Sequence, residues 1–158
     1  MRLWTQDSPY GEVTVVASDR GLREISLPGD DQPDGEIGKP ERAIARQLDD
    51  WFAGERHDFD LPLDLAGIEG FRLVALETLA REVGWGETVT YGELADLAGR
   101  PRAARAAGSA MRDNPLPFVI PCHRVVAAGG RIGGYGGGRN AVELKRKLLA
   151  REGVTNFR

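Results

Sequence analysis

Apolar and polar positions alternate through residues 11–18, where β-branched Val13, Thr14, Val15 and Val16 cluster, and this predicts a strand. Asp19-Arg20-Gly21 supplies a turn, and a second alternating run over residues 22–27 makes the pair a hairpin. Residues 28–40 follow as an acidic loop rich in proline and glycine. From about residue 41 to 52 the period changes to that of a helix, with Ile44, Leu48 and Trp51/Phe52 on one face. Phe59, Leu61 and Leu63 alternate again and predict one more short strand. Nothing in this half carries a catalytic pattern.

The second half reads differently. A helix is predicted over residues 71–83, turning Phe71, Val74, Ala75, Thr78 and Leu79 inward, with Gly84 and Gly86 closing it. The boundary between the halves then falls near residues 64–70. The predicted architecture is an α/β N-terminal domain (a small sheet plus a helix) over residues 1–66. A mainly α C-terminal domain follows over residues 70–158. Thr90 with Glu93 three residues on is a capping box that starts a short helix through Leu94, Ala95, Leu97 and Ala98, and Gly99 ends it. Pro101 is suited to open the next helix, where its missing N–H is not needed. That helix is rich in alanine (Ala103, Ala104, Ala106, Ala107, Ala110), while Arg102, Arg105, Ser109 and Arg112 recur at helical spacing. Two short helices joined by a glycine turn, the second presenting arginines, form a helix-turn-helix pattern. No internal repeat is present.

Charge sharpens this division. The chain of 158 residues carries a formal charge of −3, which by itself argues against a polyanionic partner. Residues 1–70, however, hold 7 Lys/Arg against 16 Asp/Glu, and residues 71–158 hold 14 against 8. Only the C-terminal half is therefore suited to meet nucleic acid. Four arginines and no acid lie between residues 100 and 112, which suits phosphate contact, although a solvated basic helix face has the same pattern. No apolar run approaches the roughly 18 residues of a membrane span, and the opening residues 1–7 lack the apolar stretch of a secretory signal. One cysteine excludes an internal disulfide, and two dispersed histidines offer no zinc pattern. Cytoplasmic localisation, with no metal or organic cofactor, is the expectation.

The most informative stretch is residues 114–125, Asn-Pro-Leu-Pro-Phe-Val-Ile-Pro-Cys-His-Arg-Val. A lone cysteine is commonly a small buried hydrophobe. Here Phe118, Val119 and Ile120 would anchor the segment in a core, and Pro121 stiffens the residue before the thiol. His123 and Arg124 would offer a base and positive potential, both favouring thiolate at Cys122. Adjacent residues on a strand point apart, so a helical turn or a bridging water is required to couple Cys122 to His123.

This stretch resembles the active-site signature of the O6-alkylguanine-DNA alkyltransferases, stand-alone single-turnover DNA repair proteins. Residues 86–95 and 103–108 are similar to that family's helix-turn-helix, and residues 133–138 and 148–153 to its substrate loop and final helix. The resemblance covers residues 71–153 well; the N-terminal half is similar only in layout. It implies a suicidal methylated-DNA–protein-cysteine S-methyltransferase acting on O6-alkylguanine, and on O4-alkylthymine, in double-stranded DNA. Cys122 would take the alkyl group, His123 would act as base through water, and Glu152 would orient His123. Asn114 would bridge the recognition helix to the active-site segment. Tyr91 would help rotate the nucleotide out, and Arg105 would enter the duplex from the minor groove as a finger. Arg102, Ser109 and Arg112 would contact DNA. Pro117 and Tyr135 would wall the pocket, with backbone near Val125 and Gly136 hydrogen-bonding the flipped base. No membrane and no obligate protein partner are implied, and the expected state is a monomer.

Three features qualify the resemblance. Gly136 stands where many members have serine, leaving only a backbone N–H there. The N-terminal half has no cysteine, so a regulatory cysteine and a zinc site are both missing. Cys122 itself stands where the alkyltransferase-like proteins have tryptophan. Two other readings stay open on the residues alone: a DNA-binding protein without catalysis, and a cysteine hydrolase using Cys122 and His123.

Overall fold

The computed structural model describes residues 1–134 and 141–157. The chain divides into two compact units, Met1–Ala66 and Gly67–Arg158.

The first unit is a three-stranded antiparallel sheet with one helix. Strands β1 (Arg2–Gln6), β2 (Val13–Ser18) and β3 (Gly21–Ser26) lie in that order. β2 sits at the centre and buries five consecutive residues, Val13 to Ala17. The predicted hairpin is therefore β2–β3, with a register irregularity at Val16/Ala17. β1 did not declare itself in the sequence, because Arg2-Leu3-Trp4-Thr5-Gln6 is short and only Leu3 and Trp4 are buried. Helix α1 (Arg42–Phe52) buries Ile44, Leu48, Trp51 and Phe52, the face its spacing predicts. The Glu41 carboxylate caps it by accepting from the N–H groups of Ala43 and Ile44. Gln6 fastens β1 to α1, donating from Nε2 to the Ala45 carbonyl (3.2 Å) and Asp49 Oδ1 (3.0 Å).

The strand expected at Phe59, Leu61 and Leu63 does not form. Only Leu63 makes a parallel bridge, to Leu22. Phe59 instead lays its ring against Trp51, 5.8 Å between centroids, and alternation there reflects side chains covering a core rather than a ladder.

The second unit begins with α2 (Gly70–Glu82). It buries Ala75, Leu76, Thr78 and Leu79, whereas Val74, expected inside, is exposed and Leu76 takes the inward position. Strand β4 (Val89–Thr90) pairs in parallel with β5 (Val125–Val126), a two-residue pairing too short to leave a sequence pattern. Between them lies the helix-turn-helix, α3 (Tyr91–Leu97) and α4 (Ala104–Arg112). The capping box forms as read: Thr90 Oγ1 accepts from Glu93 N–H, and the Glu93 carboxylate accepts from Thr90 N–H. Pro101 does not open α4. The chain passes through Arg102 at φ 74°, a left-handed conformation incompatible with helix, and α4 starts two residues later. α4 buries Ala107, Ala110 and Met111, and α2 is tied to its end by Arg72 Nη2 donating to the Asp113 carbonyl at 2.8 Å. Helix α5 (Ala141–Arg151) closes the unit, with Leu149 packed beside Val126 and Ile132. Among the described residues no helix is long and apolar enough to cross a membrane.

The α3 cap is open to substitution without touching a core. Thr90→Ala is expected to lower the unfolding free energy by about 1 kcal/mol in denaturant titrations, and Thr90→Ser to retain most of it.

A buried cysteine–histidine–glutamate centre beside the helix-turn-helix

The stretch after α4 is held by Asn114. Its Nδ2 donates to the Ile120 carbonyl at 2.9 Å and its Oδ1 accepts from Leu116 N–H at 3.0 Å, closing a loop that ends two residues before the thiol. Pro117 is buried within this loop, and Phe118 is buried at φ 73°, an uncommon backbone state for a bulky residue. Cys122, His123 and Arg124 then form one turn of 3-10 helix, and all three are buried. The segment is a helical turn, not a strand, one of the two arrangements that coupling adjacent residues requires.

His123 is fully buried, and its Nε2 lies 2.7 Å from Glu152 Oε2. Glu152 follows the last residue of α5, and its carboxylate is enclosed. It accepts from Arg124 Nε (2.9 Å) and Nη2 (3.2 Å) and from Gly86 N–H (3.0 Å). Burial pushes this carboxyl pKa up, but the bonds from His123 and Arg124 outweigh it and bring it down to about 2. An ionised Glu152 can only accept, so Nε2 of His123 carries the proton. In the neutral ring Nδ1 is then the basic nitrogen. Burial lowers the His123 pKa below its usual value, against the pull of Glu152, which keeps the ring neutral.

Arg124 departs from its expected role. Its guanidinium faces Glu152 through a fork, and Nη1 donates to the Val83 carbonyl at 2.9 Å, so it serves the carboxylate rather than the thiol. Among the described residues, Lys145 of α5 is a cation in electrostatic contact with Cys122, and nothing in the sequence pattern marks it as part of the site. It is fully buried, and Nζ donates to the carbonyls of Val125 (2.6 Å) and Gly134 (2.8 Å). Burial lowers its pKa to about 8, while negative charge at Cys122 holds it up. The sequence signals only its burial: Lys145 sits three residues before the buried Leu148, on the apolar face of α5.

Tyr91, the first residue of α3, donates its hydroxyl to the Gly134 carbonyl (3.2 Å), and Lys145 Nζ lies 5.7 Å from its ring centre. Burial raises its pKa, and charge at Cys122 raises it further. Gly133 makes this approach possible. Its φ is 77°, and a Cβ there would stand 3.2 Å from the tyrosine hydroxyl and from Ala127 N. Val125 donates its N–H to the Cys122 carbonyl and gives its own carbonyl to Lys145. Arg105, Ser109 and Arg112 are exposed along α4, with Arg112 Nη2 3.5 Å from Ser109 Oγ. Arg102 is exposed in the preceding turn rather than on that helix. Tyr135 and Gly136 lie outside the described residues.

The second unit thus joins a helix-turn-helix to a buried centre in which a cysteine and a carboxylate-held histidine share one helical turn. Residues 73–154 match the family model described as 6-O-methylguanine DNA methyltransferase, DNA binding domain, and residues 1–65 match its ribonuclease-like domain. The chain belongs to the 6-O-methylguanine DNA methyltransferase family. It is 43% identical over 155 residues to the methylated-DNA–protein-cysteine methyltransferase of Mycolicibacterium paratuberculosis, covering 94% of this chain and 90% of that one. The human protein of the same name is 37% identical, covering 97% and 81%. Among solved structures, Mycobacterium tuberculosis OGT in complex with DNA aligns with a TM-score of 0.86 at 36% identity, over 96% of this chain and 92% of that one.

Glu152 and His123 both make acid destabilising. Glu152 is held to about 2 against an ordinary 4.5, and the His123 pKa is also depressed. In each case the unfolded chain binds the proton more readily, so stability is complete above the unfolded pKa and is lost as pH falls. Denaturation midpoints are expected to drop from below about pH 6.5, through the histidine range, and to fall further between about 4.5 and 2. Glu152→Gln should flatten the lower part of that curve.

Proposed function

We propose that this protein repairs DNA by direct reversal, moving the alkyl group of O6-alkylguanine irreversibly onto Cys122. In this reading residues 70–158 are the DNA-binding and alkyl-acceptor domain and residues 1–66 a separate N-terminal domain. The observation that carries the reading is the buried 2.7 Å contact between His123 and Glu152, one residue from the only cysteine. It fixes the proton on Nε2 and leaves Nδ1 to accept the thiol proton through a water.

The reaction follows from that arrangement. The Cys122 sulfur attacks the alkyl carbon in line as the carbon–oxygen bond breaks. Guanine leaves with the bonding electron pair and takes up one proton, and the sulfur is left as a thioether. Lys145 supplies the cation that favours thiolate in a centre where Cys122 is only 6% exposed. The alkylated oxygen lies inside the base stack, so the nucleotide must be turned out of the duplex to meet so enclosed a sulfur. Arg105 on α4 is the finger that fills the vacated stack from the minor groove, with Arg102, Ser109 and Arg112 contacting DNA. Tyr91 assists the rotation and contacts the base, and Asn114 links α4 to the active-site segment. Pro117 and Tyr135 form pocket walls, and backbone groups at Val125 and Gly136 bond the base. The acceptor works as a monomer in the cytoplasm, and O4-alkylthymine is a second substrate.

Two measurements test this. Incubation with duplex DNA carrying labelled O6-methylguanine is expected to place no more than one label on each chain. Cys122→Ala should take none while still binding DNA; label in excess of one per chain would indicate turnover and a different chemistry. Arg105→Ala is expected to slow repair in duplex far more than reaction with the free alkylated base, and equal losses would remove the finger role.

A further inference from the structure

The enclosed charges around His123 pair in a particular way. The carboxylate of Glu152 is met by two donors of the Arg124 fork, and both side chains are almost wholly excluded from water. Arg124 is itself anchored by the Val83 carbonyl, and the Gly86 N–H bonds the same carboxylate. One buried anion is thus balanced by one buried, permanently charged cation before His123 is considered. A histidine bonded to an unbalanced buried carboxylate would be drawn toward imidazolium, since an unpaired enclosed charge is strongly disfavoured. With Arg124 in place the neutral ring completes a balanced set.

We propose that Arg124 is a positioning residue for the transfer reaction, holding Glu152 as a matched anion so that His123 remains a neutral, Nε2-protonated base. This rests on the reading that His123 serves Cys122. It assigns Arg124 a function through Glu152, distinct from supplying positive potential to the thiol. Among the described residues, three charged groups bear on His123. Glu152 after α5 draws it toward protonation, while Arg124 of the same 3-10 turn and Lys145 of α5 oppose that. Cys122 adjoins it in sequence. Removing Arg124 takes away the cation paired with Glu152 and leaves only Lys145 to oppose the pull of the 2.7 Å bond.

The test reads the imidazole directly. The chain has two histidines, and the other, His57, lies in the first unit, so the two sets of signals are told apart with His57→Gln. Imidazole nitrogen NMR of the unreacted protein, titrated between pH 5 and 9 on the order of one-unit steps, is compared for the parent, Arg124→Gln and Arg124→Lys. The parent ring is expected neutral and Nε2-protonated through neutral pH. In Arg124→Gln the titration midpoint of His123 should rise by about one unit or more. Alkyl transfer from the free alkylated base should fall near neutral pH in proportion to the share of His123 that becomes imidazolium. Its acid limb should move upward with the NMR midpoint, so activity recovers as pH rises. Arg124→Lys retains the charge but not the fork. It should leave the midpoint near the parent value while weakening the Nε2 tautomer preference, and it serves as the measured variant should Arg124→Gln not fold. A uniform loss of rate and melting temperature, with His123 midpoint and tautomer unchanged, would overturn the proposal. The NMR arm needs no transfer step, so a parent that titrates as expected but moves no alkyl group would refute the acceptor reading while leaving the Arg124 result standing.

Discussion

The burial of one carboxylate organises the second unit. Glu152 lies just past α5, and enclosing its charge is tolerable only because every approach to it is occupied by a donor: the His123 ring, two nitrogens of Arg124 and the Gly86 N–H. These donors come from two stretches distant in sequence from Glu152. Residues 83–86 precede the helix-turn-helix, and residues 122–124 carry the thiol. A single anion therefore ties the entry to the DNA-binding motif, the nucleophile's turn and the end of the last helix into one network. Arg124 is also constrained on its other side, where it bonds the Val83 carbonyl. Networks of this kind are stable only when complete, since a missing member leaves an enclosed group unsatisfied.

A second constraint meets the first at Cys122. Asn114 folds the loop after α4 back onto Ile120, so the position of the thiol follows the end of α4 through two hydrogen bonds. From the opposite side Tyr91, at the start of α3, reaches the Gly133–Gly134 backbone, which Lys145 also bonds. Both helices of the helix-turn-helix are in this way connected to the centre by short polar contacts, one at each end of the motif. Chemistry and duplex recognition can share a small unit because no long lever separates them.

Local patterns revealed what local forces decide. The β2–β3 hairpin, the buried face of α1 and the Thr90–Glu93 box depend on residues within a few positions of one another, and each was legible. Strand β1 and the β4–β5 pairing were not, because a few residues with little alternation acquire their state from distant partners. The helix start at Pro101 failed for a related reason: Arg102 adopts a left-handed turn that no propensity at proline foretells. At the site, Cys122 and His123 stood out by their signature, and Glu152 by resemblance alone. Arg124 and Lys145 show the limit most clearly. Both are ordinary basic residues in sequence, and only the fold determines which of them faces the carboxylate and which faces the thiol.

That assignment has a consequence for a cysteine used once. Arg124 and Glu152 form one matched set of enclosed charges, and Lys145 faces Cys122, whose sulfur would be its counter-charge once the thiol proton has passed to His123. Alkyl transfer to sulfur would convert the thiolate into a neutral thioether and leave the matched set untouched. Lys145 would lose the charge that holds its pKa up, with burial alone then acting to push it down. Its bonds to the Val125 and Gly134 carbonyls are what remain to hold it, and Gly134 is also where Tyr91 docks. The electrostatic effect of alkylation therefore falls on the side of the centre that touches α3, while the Glu152 network that supports His123 is spared.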